Sequence, residues 1–197
     1  MDRPTLFSPA LLIYGLLFSL LLYLLQPYQE WLLYRRESIL AGEAWRLWTG
    51  HLVHTNPYHL YLNLGGFWIF LLLCSPVLNL KILNFSIILG ATLISFAFLA
   101  WHPQLDWYAG FSGVLYGLFV TGALCLLLAG DWLIFSGLLL LVAIKLLSGW
   151  LGDSDELTQQ LIKARIVDEA HYYGALAGLL PPLPRLYRRL RSRTTPF

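Results

Sequence analysis

Three short stretches of this chain carry side chains able to do acyl-transfer chemistry. Gly110-Phe111-Ser112-Gly113 puts a hydroxyl where an apolar run begins. At a helix N-terminus, free backbone N–H groups and the positive dipole end favour a developing oxyanion. His59 and Asn63 stand four residues apart, so on a helix an imidazole and an amide share one face. Ala170-His171 opens a third stretch with one imidazole in apolar company. A hydroxyl beside an imidazole is a nucleophile with its general base. Each stretch also has a plain structural explanation. Ser112 alone fits a helix N-cap. A lone histidine or asparagine within a membrane fits an interhelical hydrogen bond, worth about 0.6 kcal/mol on average.

The residues around these groups carry more information. Gly113, Gly117 and Thr121 form one small-x-x-x-small face, and Ala170, Gly174 and Gly178 form another. Such faces let two helix backbones approach closely. Packing them together could bring the Ser112 hydroxyl and the His171 imidazole within ~3 Å, the reach of a general base. His51, His54, His102 and Asp106 are the other polar groups of interest. No His-Glu-x-x-His occurs and no carboxylate pair sits within a span, so a zinc site is poorly supported. No aspartate is placed by sequence to orient His171, and a two-residue Ser-His dyad is the economical proposal. Cys74 and Cys125 lie inside apolar runs and read as small packing residues.

Hydrophobic residue types make up 58 % of the 197 residues and charged types 12 %. Soluble domains average about 45–50 % and about 25 %. The composition thus argues against disorder and against a water-soluble globule. Net charge is +2, and Arg185, Arg188, Arg189, Arg191 and Arg193 crowd the C-terminal end. No basic patch suggests nucleic acid as a partner. Six apolar runs, at about 6–25, 58–77, 82–101, 111–129, 132–151 and 166–183, predict membrane helices of ~20 residues each. The first run has almost no basic n-region and ends without a small-residue cleavage site, and reads as a retained helix. Without a Gly/Ser linker, residues 1–197 read as a single domain with a basic tail at 185–197.

Basic residues set the orientation. With both termini in the cytoplasm, Arg3, Lys81 and the tail arginines fall inside. Arg35, Arg36, Arg46, Lys163 and Arg165 then fall outside. Lys145, in the fifth run, reaches the interface by its long stem. Residues 26–57, with Trp31, Trp45 and Trp48 among charges, predict a folded element in the outer interface. Residues 152–169 are polar and acidic, and read as a mobile outer loop. A transporter needs ionisable groups along the whole bundle, whereas the polar residues here gather near one membrane face.

Together these pieces resemble the rhomboid intramembrane serine protease family. Trp45-Arg46 matches its Trp-Arg pair in the first loop. His54, His59 and Asn63 match His-x-x-x-x-His-x-x-x-Asn at the second helix. Gly110, Ser112, Gly113 and Tyr116 match Gly-x-Ser-Gly with its following tyrosine. Ala170, His171, Gly174 and Gly178 match the motif of the sixth helix. The resemblance runs in order from about residue 43 to 180.

The resemblance implies an all-α membrane protein, a six-transmembrane-helix rhomboid-like bundle. It implies Ser112 as nucleophile and His171 as base and then acid. His59, Asn63 and the Ser112 N–H would form the oxyanion hole, and Tyr116 would pack near His171. The third loop would dip into the bundle. No metal or organic cofactor is implied. The compact size and Glu169-Ala170-His171 look like the rhombosortase branch. That branch implies membrane-anchored protein substrates with a Gly-Gly-type small-residue motif, one transmembrane helix and a basic end. It also implies the inner membrane of a bacterium, with the active site open to the periplasm. The alternatives are a rhomboid protease with other transmembrane substrates and an inactive relative that binds membrane helices.

Overall fold

The computed structural model describes residues 8–151 and 156–194, without the side chains of residue 188 and residues 190–194. Arg3, Asp153, Asp155 and the side chains of Arg188, Arg191 and Arg193 therefore lie outside the described residues. Helix α1 spans Pro9–Leu25 and continues through a 3-10 turn into α2, Gln29–Leu32. Strand β1, Tyr34–Arg35, is followed by α3, Arg36–Leu40, and α4, Arg46–Thr49. Then come α5, Pro57–Cys74, and α6, Leu80–Trp101. Strand β2, Trp107–Tyr108, leads to α7, Ser112–Ala129, and α8, Trp132–Trp150. The C-terminal part holds α9, Glu156–Ile162, α10, Asp168–Ala177, and α11, Leu183–Thr194.

Local chemistry explains the boundaries. Pro57 occupies the first turn of α5, where its missing N–H costs nothing, and Asn56 caps it by accepting from the His59 amide at 2.9 Å. Asn79 and Asp131 cap α6 and α8 in the same way. Helix α7 begins at Ser112 with no side-chain cap from its N-cap residue, Phe111. It stops at Gly130, which adopts the left-handed conformation at φ 92°.

Among the described residues, five helices are long and apolar enough to cross a membrane: α1 with α2, α5, α6, α7 and α8. Large apolar side chains such as Leu16, Leu17, Ile69, Ile88 and Leu140 point outward from them. In water such a surface would aggregate; in a bilayer it is the solvated face. The all-α membrane bundle expected from composition is therefore present. The sixth apolar run is not one unbroken helix among the described residues. It forms α10, ten residues long, then a turn through Pro181 and Pro182. At 1.5 Å per residue, ten residues span only about half of a ~30 Å hydrocarbon core. Hydrogen-bonded turns across residues 178–182 join α10 to α11.

Helix α7 is the centre of the bundle, buried from Gly113 to Leu126 and packed against α5, α6, α8 and α10. Helix α8 is peripheral and buries only Leu138 and Val142. Residues 26–57 are a folded element, as expected. Arg46 is buried there, pairs with Glu43, and donates to the carbonyls of Glu30 at 3.1 Å and Leu33 at 2.9 Å. Arg36 donates to the carbonyls of Phe98 and Leu99 at the end of α6. Strand β1 pairs antiparallel with β2, Tyr34 opposite Tyr108, and the Gly110 amide donates to the Gly50 carbonyl at 3.1 Å. This element thereby fixes the loop that ends at Ser112.

Most of residues 156–169 forms α9 and the start of α10. Helix α9 is tied to the start of α5, because Thr55 donates to the Ile162 carbonyl at 2.6 Å and Asn56 to that of Leu161 at 2.8 Å. The tail continues as a helix, since Pro184 falls in the first turn of α11, where proline is tolerated. Its Arg185 donates to the Val77 carbonyl at 2.7 Å, and Arg189 donates to that of Leu128.

Candidate active site

The two small-residue faces meet. A β-carbon on Gly117 would stand 2.6 Å from the Gly174 carbonyl oxygen, and one on Gly113 would stand 2.8 Å from that of Ala170. Only hydrogen at these positions allows α7 and α10 to touch backbone to backbone. Thr121 closes the far end of the seam by donating to the Gly178 carbonyl at 3.0 Å. The consequence at the near end is chemical. His171 Nε2 lies 3.1 Å from Ser112 Oγ. Tyr116, one turn beyond Ser112, stacks on the imidazole with centroids 4.3 Å apart and planes 17° apart. The stacking holds the ring in the orientation that faces the hydroxyl.

His59 and Asn63 approach Ser112 from α5. Gly110 adopts φ +140°, and a β-carbon there would stand 2.8–2.9 Å from the His59 ring. Glycine is therefore needed both for the backbone turn and for the imidazole's room. Asn63 Nδ2 donates to the His59 carbonyl at 2.9 Å, which leaves its second N–H hydrogen for a ligand. Asn63 Oδ1 is buried and has no partner among the described residues.

The hydroxyl of Thr55 favours the His59 tautomer with its proton on Nδ1, while the Thr55 amide points at the same nitrogen as its acceptor and favours the other. A hydroxyl has one hydrogen, and Thr55 gives it to the Ile162 carbonyl. The 3.0 Å contact between Thr55 Oγ1 and His59 Nδ1 is then a donation from the ring. The Thr55 amide, at 3.5 Å from the same nitrogen, is a weaker competitor. With the proton on Nδ1, a neutral His59 has an accepting Nε2.

Two further polar groups lie beneath the site. Burial pushes the Tyr108 hydroxyl up to about 12, a contact with Ser112 acting in the opposite sense. Tyr108 thus remains a donor, and it bonds the Gly110 carbonyl at 2.8 Å. His54 packs edge-on against His59, with centroids 5.0 Å apart. Burial, and secondarily the neighbouring His59, brings it down to about 3, so it stays neutral. Both ring nitrogens of His54 are buried with no partner among the described residues.

A cavity of about 560 Å³ opens over these residues. His59, Asn63, Ser112, Tyr116 and His171 all line it, and so do Tyr108, Lys145 of α8 and Asp168. Its walls are otherwise mostly apolar, with α9 and the segment before α10 forming one side. Gly174 and Gly178 act at a distance, through the helix seam. Trp45 and Arg46 are not at the site; they belong to the folded element of residues 26–57. The sequence alone singles out neither Thr55 nor Asp168. Asp168 lies one helical turn before His171, its Oδ1 3.6 Å from His171 Nδ1. The i, i+3 spacing within α10 is the signal that could have found it.

No curated protein matches the chain. The family model of the Rhomboid domain matches residues 41–188, a stretch that runs from the folded element before α5 into α11 and includes every residue of the cavity. With its apolar helices and the seam that joins α7 to α10, the chain belongs to the rhomboid family of intramembrane serine proteases.

Proposed function

We propose that this protein is an active intramembrane serine endopeptidase working through Ser112 and His171. The observation that carries this is the 3.1 Å contact between Ser112 Oγ and His171 Nε2 at the floor of the cavity. In the first step His171 Nε2 takes the hydroxyl proton while Oγ bonds the scissile carbonyl carbon. The carbonyl oxygen becomes an oxyanion, received by the Ser112 N–H and Asn63 Nδ2. His59 joins them when its Nε2 carries a proton, which the contact through Thr55 to α9 opposes. The C–N bond then breaks, and His171 returns its proton to the leaving amine. Water, deprotonated by the same ring, hydrolyses the acyl-enzyme.

The substrate is a membrane-anchored protein whose helix unwinds at small residues, because a helical carbonyl is already hydrogen-bonded. Its motif is of the Gly-Gly type, followed by one transmembrane helix and a basic end, as the resemblance to rhombosortases implies. Residues 1–197 act as one domain in the cell membrane of a bacterium. Both termini face the cytoplasm, and the cavity faces the periplasm.

The test uses membranes that contain the protein and a periplasmic reporter with such a tail. Release is expected with the native protein and lost with Ser112→Ala or when the motif's glycines become leucine. Release that needs Ser112 but ignores the glycines would reassign the substrates to other transmembrane proteins. Equal release with Ser112→Ala would overturn the nucleophile.

A further inference from the structure

Helix α10 begins one turn before His171, and its first residue turns a carboxylate back onto the ring. Asp168 Oδ1 lies 3.6 Å from His171 Nδ1, the nitrogen opposite the one that faces Ser112. The two side chains are 26 % and 12 % exposed, so water screens this contact only in part. Helix α8 leaves space for the carboxylate: a β-carbon on Gly149 would stand 2.6 Å from Asp168 Oδ1. An acid in the first turn of a helix has an ordinary explanation in the helix dipole. That explanation covers Glu169 equally, but gives no reason for an oxygen beside Nδ1.

We propose that Asp168 is a positioning residue for His171, so that the site works as a Ser-His pair steadied by a carboxylate. This rests on the Ser112–His171 reading. A carboxylate at Nδ1 favours the tautomer with its proton there, which leaves Nε2 bare to accept from Ser112. It also stabilises the imidazolium that forms when the proton arrives. At 3.6 Å the contact exceeds a hydrogen bond, and it tightens as the ring becomes charged. The other ionisable groups around the ring are Tyr116 stacked on it, Lys145 of α8, Arg165 before α10, and His59, Asp106 and Tyr108 lining the same cavity. Among the described residues, Asp168 provides the carboxylate within ion-pair distance of the ring.

The experiment pairs the rate of covalent labelling by a fluorophosphonate with the His171 tautomer, read by two-bond nitrogen–proton correlation, on full-length protein in proteoliposomes. Asp168→Asn is expected to reduce the labelling rate roughly tenfold and to lower the share of the His171 proton on Nδ1. Asp168→Glu keeps the charge and is expected to retain the native tautomer and most of the rate. Gly149→Ala, which crowds the carboxylate, is expected to behave as a milder Asp168→Asn. An unchanged tautomer in Asp168→Asn would overturn the proposal, whether or not the rate falls, since a structural role lowers the rate without moving the proton. A native protein left unlabelled would overturn the Ser112–His171 reading itself, and the proposal with it.

Discussion

Gly174 lies so close to Gly113 that a β-carbon on it would collide with the Gly113 carbonyl oxygen. This backbone contact fixes the distance between Ser112, one residue before Gly113, and His171, three before Gly174. The chemistry therefore depends on a seam that touches no substrate.

Gly174→Ala is expected to lower both the thermal midpoint and the turnover, because two backbones must separate. Gly137→Ala is the control, since a β-carbon there meets nothing within 4 Å. Replacing glycine by alanine in an open helical position is stabilising by roughly 0.5–1 kcal/mol. A thermal melt in detergent, paired with the reporter assay, separates the two variants. Equal behaviour would mean that the seam is not what positions the pair.

Asn63→Ala removes a proposed oxyanion donor and leaves Ser112 and His171 facing each other. Loss of one such donor typically costs on the order of 10²–10³ in rate. The fall is expected in kcat with little change in KM, because the donor acts on the transition state. A change confined to KM would place Asn63 in substrate binding.

The tautomer of His59 can be read by two-bond nitrogen–proton correlation in ring-labelled protein. The proton is expected on Nδ1 in the native protein, where the Thr55 hydroxyl is engaged by the Ile162 carbonyl. Thr55→Val removes the acceptor and the tie to α9. Its His59 proton is expected to move to Nε2, with faster amide exchange across residues 156–162. A native Nε2 proton would contradict the hydrogen-bond assignment.

Acid sensitivity follows from two buried histidines outside the spans. Burial lowers His51 to about 4, and His54 to about 3, from an ordinary value of 6.5. The unfolded chain binds these protons first as pH falls. Their stabilisation of the fold is complete above pH 6.5, and declines as pH drops toward 4 and then 3. The thermal midpoint is expected to be flat from pH 7 to 8 and to fall below 6.5. His54→Gln is expected to flatten part of that slope. An unchanged slope would remove His54 as a contributor.

The residue types at the site were legible because they combine with a helical repeat. Ser112 and His171 stand out only beside the small-residue faces of Gly113, Gly117, Gly174 and Gly178, which say how closely two helices can pack. Spans were legible from apolar runs for the same reason that composition excludes a soluble globule. The length of the sixth helix was not legible, because apolarity does not report where turns through Pro181-Pro182 fall. Thr55 and α9 were illegible because Ile162 is far from Thr55 in sequence and meets it through a backbone carbonyl. Asp168 sat in plain view at i, i+3, but an acid in a helix's first turn is too common to mark.

The most direct test of the central claim is intact-protein mass spectrometry after treatment with a fluorophosphonate, followed by peptide mapping. A single adduct on Ser112 is predicted in the native protein, with none in Ser112→Ala and very little in His171→Ala. An adduct on another serine, or an equal adduct after His171→Ala, would contradict the proposed nucleophile and its base.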